Sequence, residues 1–160
     1  MNAILNLATE KEAENEVFIA FLKSYNTQIV DAAVSILNDV VTSQIDCTAC
    51  GNCCKTLMIN VTDEEANKLS DHLNKTRLEF DEQYLEKGST MMVINAIPCH
   101  FFANTKCTVY EYRFAGCREF PALHLPNFTK RLFTTFMHYN RCPIIYNVVE
   151  GLKAELGFRG

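Results

Sequence analysis

The 160-residue sequence lacks several features that would place it in a familiar functional class. It contains no tryptophan, and no apolar run approaches the roughly 18 residues of a membrane-spanning helix, so we expect no membrane partner. Its net charge of -4 argues against nucleic acid as a partner. The first residues have neither the basic start nor the long apolar stretch of a signal peptide, and we therefore expect a cytoplasmic protein.

The sequence also lacks the common catalytic patterns. It has no Ser-His-Asp arrangement, P-loop or G-x-G-x-x-G motif, and it shows no repeat, low-complexity tract or linker. An apolar fraction of 48% and a charged fraction of 21% are ordinary for a folded protein. The length indicates a single domain, and its status as an enzyme stays open because no catalytic motif exists beyond the cysteines.

Cysteine is the residue type present in unusual abundance, with eight in the chain. Disulfides rarely persist in a reducing cytosol, so abundant cysteines there more often bind metal or carry out redox chemistry. Two-residue spacers let a tight turn direct successive thiolates at one ion, and Gly51 permits the positive φ that such a turn often needs. The spacing favours zinc or iron–sulfur ligation over reduced core cysteines or disulfides. All eight are candidate metal ligands: Cys47, Cys50, Cys53 and Cys54 in a C-x2-C-x2-C-C cluster, followed by Cys99, Cys107, Cys117 and Cys142.

The adjacent pair Cys53-Cys54 indicates how these ligands divide. Neighbouring side chains usually diverge, so we do not expect both sulfurs to bind the same ion. One hypothesis is two groups of four ligands, and the alternative is a single site plus several inert or redox-active cysteines. The favoured groups are Cys47, Cys50 and Cys53 with Cys142, and Cys54, Cys99 and Cys107 with Cys117.

Basic residues adjoin four of the cysteines, namely Lys55, Lys106, Arg118 and Arg141. Cationic neighbours lower the pKa of a thiol and offset the charge of a four-thiolate site, although four such neighbours among fifteen basic residues also arise by chance. Pro143 follows Cys142 where an apolar-periodic stretch begins. We therefore expect Cys142 at or near the N-cap of a helix, where the helix dipole favours a thiolate.

The apolar pattern predicts an α+β fold, a mostly helical single domain with a long N-terminal helix, a small antiparallel hairpin and a cysteine-lined metal centre. Residues 1–45 form the predicted helical arm and residues 46–160 the cysteine-cluster metal-binding domain, together one compact unit. A capping-box pair, Thr9 and Glu12, predicts one helix over 9–42, with at most one break. Its apolar stripe is Phe18, Phe21, Tyr25, Ile29, Ala32, Ile36 and Val40.

Shorter elements are predicted after the cysteine cluster. Two helices begin at capping boxes, Thr62 with Glu65 and Thr76 with Glu79. A last helix begins at Pro143 and is ended by Gly157. The other predicted elements are strands at 57–61, 91–94 and 107–110, the last two paired around a turn at 103–105, and a short helix at 111–119 that carries Cys117.

The cysteine-containing segments together resemble a known family. They are Cys47-x2-Cys50-Gly51-Asn52-Cys53-Cys54-Lys55, Pro98-Cys99-His100-Phe101-Phe102, Lys106-Cys107-Thr108-Val109-Tyr110, Arg113-Phe114-Ala115-Gly116-Cys117-Arg118-Glu119-Phe120-Pro121 and Cys142-Pro143. Their order and spacing, over roughly residues 46–143, resemble the CxxCxxCC family of zinc- or iron-chelating proteins, also called YkgJ-type cysteine-cluster proteins. The family commonly has Arg-Pro where this chain has Arg113-Phe114, a change that removes a rigid turn but no candidate ligand. The resemblance implies that these cysteines bind metal or an iron–sulfur cluster, and it implies little about the biochemical role.

Three functions are compatible with these observations. The first is a metal-binding protein whose sites stabilise the fold and support binding to an unknown protein partner. The second is an electron carrier or accessory oxidoreductase that holds a 4Fe-4S cluster and meets a redox partner. The third is a thiol redox sensor that uses the Cys53-Cys54 pair without metal. Four thiolates on zinc leave no open position, so a zinc site of this kind would be structural.

Overall fold

The computed structural model describes residues 2–160, and Met1, the first residue of the predicted helical arm, lies outside the described residues. The chain is mostly helical, at 60%, with small antiparallel sheets, which confirms the α+β class. None of the helices in residues 2–160 combines the length and hydrophobicity needed to cross a membrane. The helices are α1 (Asn2–Glu10), α2 (Glu12–Ser24), α3 (Thr27–Gln44), α4 (Cys47–Cys50), α5 (Asn52–Thr56), α6 (Asp63–His72), α7 (Arg77–Tyr84), α8 (Ala115–Glu119), α9 (Leu132–Met137) and α10 (Pro143–Glu155). The strands are β1 (Asn60–Val61), β2 (Leu85–Lys87), β3 (Met92–Ile94), β4 (Phe102–Ala103) and β5 (Lys106–Cys107), and 3₁₀ helices span Tyr110–Tyr112 and Phe128–Lys130.

The chain divides into two compact units. The helical unit combines the N-terminal residues up to Asp46 with Pro121–Gly160. The cysteine unit is Cys47–Phe120, and it contains every cysteine except Cys142. The predicted boundaries at 1–45 and 46–160 stay a prediction.

The N-terminal segment forms three helices where the sequence predicts one long helix with at most one break. The break before α3 lies at Tyr25, whose backbone is extended, and at Asn26. The side-chain oxygen of Asn26 accepts hydrogen bonds from the N–H groups of Gln28 and Ile29 at 2.9 and 3.2 Å. Asparagine favours this N-cap position because its carbonyl oxygen satisfies N–H groups that have no partner within the helix.

A second break, at Lys11, separates α1 from α2. Thr9 lies inside α1 rather than at the start of a helix, and α2 begins after Lys11 without a side-chain cap. The predicted capping box of Thr9 and Glu12 is therefore wrong. The residues before Thr9 are already helical, and a capping box forms only where the chain enters a helix.

The face that α3 buries also differs from the predicted stripe. Val30 and Val34 are buried, whereas Ile29, Ile36 and Val40 are exposed, Ile36 by 67%. The prediction assumed that one continuous apolar stripe spans the break before α3. Because the break restarts the helix in a new orientation, the residues that face the core are displaced along the sequence from those predicted.

The core of the helical unit lies where α10 packs against α3. The buried face of α10 includes Ile145, Val148 and Leu152. A Cβ atom at Gly151 would lie only 2.9 Å from Cδ2 of Leu37 on α3, so glycine allows these two helices to approach closely. Close approach of this kind increases the dispersion contacts along the helix pair.

The ends of α10 agree with the sequence analysis. Cys142 occupies the N-cap position and Pro143 the first turn, as predicted. Gly157, just beyond the helix, has a φ of +63°. Glycine is favoured at this point because it enters the left-handed region without the steric cost that a Cβ imposes.

In the cysteine unit, both predicted capping boxes are present. Thr62 starts α6 and Thr76 starts α7, each paired with a glutamate three residues later. The buried side chains of Ala66, Leu69 and Phe80 place these two helices against the core of this unit.

The sheets of the cysteine unit differ from the predicted pairing. β3 is the central strand of a three-stranded antiparallel sheet and pairs with both β1 and β2. The predicted partner of β3, the 107–110 segment, instead provides β5, which pairs with β4. Asn104 and Thr105 connect β4 to β5 with φ values of +50° and +65°. A two-residue turn with positive φ joins strands that adjoin it, so β5 pairs with the segment immediately before the turn.

Strand β2 was not predicted. The helix that follows the capping box at Thr76 ends at Tyr84, and Leu85 to Lys87 pair with β3. Leu85 is buried in the core, where a strand directs its side chain inwards. Tertiary pairing therefore outweighs the local preference of this short segment.

Replacement of Phe80 by alanine should lower the free energy of unfolding by about 3–5 kcal/mol, the usual cost of truncating a buried phenylalanine. Phe80 is 0% exposed and lies in the core of the cysteine unit. The matched control Phe133→Ala removes a ring that is 82% exposed and should change stability by less than about 0.5 kcal/mol. Denaturant titration followed by circular dichroism measures both, and equal effects would contradict this core.

Candidate metal centre

Five thiols from four segments of the cysteine unit are linked by electrostatic interactions. Each is half-buried and reduced, and the charges of Cys53, Cys99 and Cys107 act on both Cys54 and Cys117. We call these residues the five-thiol group. Its members are Cys53 and Cys54 on α5, Cys99 before β4, Cys107 on β5 and Cys117 on α8.

The first connection in this group joins α5 to the segment before β4. The N–H of Cys99 donates a hydrogen bond to the carbonyl oxygen of Cys54 at 2.8 Å. The thiol of Cys54 donates to the sulfur of Cys53. This interaction gives each of the two half-buried sulfurs a partner.

The turn between α4 and α5 contacts the β4–β5 hairpin. Gly51 has a φ of +59°, as its place between two cysteine pairs predicts. A Cβ atom at this position would lie 2.5 Å from Cε2 of Phe102 on β4. Glycine is therefore required on two counts, the backbone conformation and the close approach of the Phe102 ring. The contact places α5 beside the hairpin that carries Cys107.

Glu65 positions α8 and therefore Cys117. One carboxylate oxygen of Glu65 accepts from the N–H of Thr62 at 3.0 Å, the capping contact that the sequence predicts. The other accepts from the N–H of Ala115, the first residue of α8, at 2.5 Å. The second contact spans fifty residues of sequence, and no local pattern indicates it.

Burial and mutual repulsion keep most of these thiols protonated. Burial raises the pKa of Cys99. Burial, reinforced by the charges of the neighbouring sulfurs, raises the pKa of Cys117 to about 12. The hydrogen bond from Cys54 lowers the pKa of Cys53 and raises that of Cys54 itself. The group therefore accommodates a negative charge on Cys53 while Cys54, Cys99 and Cys117 stay neutral.

Arg113 is a basic residue of this site that the sequence analysis did not include among the cationic neighbours of the cysteines. Its positive charge acts on both Cys53 and Cys117. It precedes Cys117 by four residues, about one helical turn, and that spacing was the available signal. By contrast, Lys55, one of the predicted neighbours, lies over the ring of Phe102 at 5.2 Å from its centroid.

The other three predicted ligands lie on other elements. Cys47 and Cys50 bound α4, which packs beside β5, and Cys142 belongs to the helical unit. Among residues 2–160, no three His, Cys, Asp or Glu side chains are gathered closely enough to hold an ion. The predicted cysteine-lined metal centre is therefore not itself visible, although its donor set, composed of sulfur alone, is the kind that thiophilic ions prefer.

A family model described as "CxxCxxCC: Putative zinc- or iron-chelating domain" matches residues 46–142. The chain belongs to this family. The match spans most of the chain and begins just before the first cysteine and ends at the last. It supports metal binding as the general property of this CxxCxxCC domain. Searches of curated proteins and of solved structures found no match.

Replacement of Gly51 by alanine should destabilise the CxxCxxCC domain by about 1–3 kcal/mol, the typical cost of overpacking. The added methyl group meets the Phe102 ring, and the left-handed backbone adds strain. Thermal unfolding of the reduced protein measures the change. Gly157→Ala is the control, because Gly157 has a similar φ of +63° and no atom within 4 Å of the added Cβ. A loss at Gly51 no larger than that at Gly157 would contradict the contact with Phe102.

In the metal-free protein, Cys53 should react with iodoacetamide faster than Cys117 at neutral pH, because the thiolate is the nucleophile. The lowered pKa of Cys53 keeps its thiolate present at neutral pH, and the reaction slows as pH falls through that pKa. The pKa of Cys117, raised to about 12, keeps that thiol protonated. Mass spectrometry of time-quenched samples gives both rates, with the denatured protein as control. Equal rates in the folded protein would show that this assignment is wrong.

Proposed function

We propose that the five-thiol group binds a zinc ion or an iron–sulfur cluster through cysteine thiolates. The observation that carries this proposal is the electrostatic interaction among Cys53, Cys54, Cys99, Cys107 and Cys117, which come from four separate segments. Reduced core cysteines need no such interaction. The family to which the chain belongs supports metal binding in general.

The properties of these thiols suit a soft metal. Thiolates bind zinc and iron–sulfur clusters, whereas calcium and magnesium prefer oxygen ligands. A bound cation deprotonates a coordinating thiol. Binding would therefore overcome the burial and repulsion that keep Cys99 and Cys117 protonated. Zinc held by four thiolates would cross-link the segments, and a 4Fe-4S cluster would in addition store an electron.

Five sulfurs exceed the four that one tetrahedral ion takes. We propose that Cys54, Cys99, Cys107 and Cys117 hold one ion or cluster. The remaining thiol, Cys53, then belongs with Cys47 and Cys50, two of the other predicted ligands, in a second group. The three ligands of that group all come from the C-x2-C-x2-C-C cluster.

The biological role that we propose is that of a cytoplasmic metal-binding protein that contacts a protein or redox partner, and neither nucleic acid nor a membrane. A net charge of -4 supports the exclusion of nucleic acid. If the group holds a 4Fe-4S cluster, electron transfer or an accessory oxidoreductase role becomes the function.

A thiol redox sensor is the second candidate, and one specific observation favours it. Cys54 donates a hydrogen bond to Cys53, whose lowered pKa makes it the more nucleophilic thiol of the pair. A low-pKa thiol beside a second thiol is the arrangement that oxidants attack selectively. This candidate requires reversible oxidation in the absence of metal.

The decisive experiment is metal and acid-labile sulfide analysis, with a visible spectrum, of protein purified without oxygen. We expect zinc without colour, or iron with sulfide and absorbance near roughly 400 nm from thiolate-ligated clusters. Cys99→Ser and Cys117→Ser should each lose one equivalent of the metal or cluster. Cys50→Ser should keep that equivalent and lose only a second one.

Two outcomes would contradict the proposal. Protein with no metal and eight titratable thiols would leave the redox sensor as the better explanation. Full metal content in both Cys99→Ser and Cys117→Ser would remove the five-thiol group as the binding site. Circular dichroism of each variant shows whether a lost equivalent reflects a lost fold.

A further inference from the structure

We propose that a cleft in the helical unit binds a small organic amine, with the ammonium group against two glutamates of α2 and the apolar body against aromatic rings at α9. The cleft has a volume of about 250 Å³ and lies between α1 and α2 on one side and the end of α9 on the other. We call it the α2–α9 cleft. Its volume is just below the roughly 300–1,000 Å³ of ordinary small-molecule pockets, so the ligand is small. All of its lining residues belong to the helical unit, and the inference does not depend on the metal site.

A buried hydrogen-bond acceptor lines this cleft. Asn15 of α2 is only 6% exposed, and its Oδ1 atom has no hydrogen-bond partner among the described residues. Buried polar atoms of folded proteins nearly always have a partner, and an acceptor left without a donor is costly. An N–H group of a ligand would supply the donor that Oδ1 lacks.

The orientation of the Asn15 amide is set by a chain of polar contacts. Tyr139, which also lines the cleft, donates its hydroxyl proton to Oε1 of Glu150 at 2.7 Å. Glu150 is held as a carboxylate by Lys11 and Lys153, whose Nζ atoms lie 2.5 and 2.7 Å from its oxygens. Because the hydroxyl gives its only proton to Glu150, its oxygen can only accept from Asn15, which acts on it as a donor. The nitrogen of the Asn15 amide therefore faces Tyr139, and the oxygen is the atom left for a ligand.

The charge of the cleft lining is negative. Its two charged members are Glu12 and Glu16, one turn apart on α2, and neither forms an ion pair with another described residue. The basic residues of the neighbouring network, Lys11 and Lys153, already pair with other carboxylates. Like charges four residues apart destabilise a helix, so a bound cation would stabilise this one. The lining therefore favours a cationic ligand over a neutral or anionic one.

The apolar part of the lining distinguishes an organic cation from a metal ion. The rings of Phe136 and Tyr139 lie nearly parallel with centroids 6.0 Å apart, and Ile19 of α2 lines the same cleft. Such rings attract cations and pack against apolar groups. Calcium takes six to eight oxygen ligands, whereas within residues 2–160 no three His, Cys, Asp or Glu side chains are gathered. An amine with an apolar body matches both parts of the lining.

The experiment is an NMR titration of the isotope-labelled, reduced full chain with phenethylamine, an ammonium group on an aromatic body. We expect a dissociation constant of about 1 mM or lower, and binding about tenfold tighter than that of phenethyl alcohol, the neutral analogue. Shifts should concentrate at the residues that line the α2–α9 cleft.

Variants separate the contributions of the lining. The double variant Glu12→Gln/Glu16→Gln should weaken amine binding about tenfold, and Asn15→Leu, which removes Oδ1 at nearly constant volume, should do the same. The matched control Glu10→Gln/Glu155→Gln removes two charges at exposed positions outside the lining and should change the affinity less than about twofold.

Several outcomes would overturn the inference and leave the proposed metal binding intact. Equal affinity for phenethylamine and phenethyl alcohol would indicate apolar contact alone, and equal losses in the two double variants would indicate an effect of net charge. Displacement of the amine by equimolar Ca²⁺ would indicate a site for an inorganic cation. Tighter binding of acetyl-lysine methylamide would assign the cleft to a lysine side chain of a partner protein. Circular dichroism checks each fold, and the exposed pair Glu12 and Glu16 decides the matter if Asn15→Leu does not fold.

Discussion

The structure of the cysteine unit depends on one electrostatic constraint: half-buried sulfurs that lie close together cannot all carry negative charge. Burial and repulsion keep Cys99 and Cys117 protonated, and one shared hydrogen bond allows Cys53 to ionise at the expense of Cys54. A divalent cation would remove this constraint because it stabilises each thiolate it contacts. The positive charge of Arg113 also lowers the pKa of Cys53, but it does so less than the hydrogen bond from Cys54.

The elements that present the thiols are too short to be stable by themselves. β4 and β5 have two residues each, and α5 and α8 have five. A few specific contacts position them instead: the hydrogen bond between Cys99 and Cys54, the close approach of Gly51 to Phe102, and the carboxylate of Glu65 on α8. Small domains with little regular structure are those that gain most from metal cross-links. The helical unit needs no such link, because α3 and α10 are long enough to pack through a conventional apolar interface.

The errors of the sequence analysis have a common physical origin. The prediction of one N-terminal helix with at most one break was wrong because the helix breaks at Lys11 as well as before α3, and after the second break Val30 and Val34 face the core. The partner of β3 was wrong because strand pairing depends on turn geometry and on segments distant in sequence.

The sequence by itself determined features that depend on residues within about four positions: the capping boxes at Thr62 and Thr76, the N-cap at Cys142 and the turn at Gly51. The order and spacing of the cysteines also determined the family. Local hydrogen bonds and backbone sterics are encoded by neighbouring residues, so a pattern suffices to predict them. Only the tertiary structure decided which thiols interact, that Arg113 acts on Cys53 and Cys117, and that the carboxylate of Glu65 positions α8. Each of these depends on packing between segments tens of residues apart, which no local pattern records.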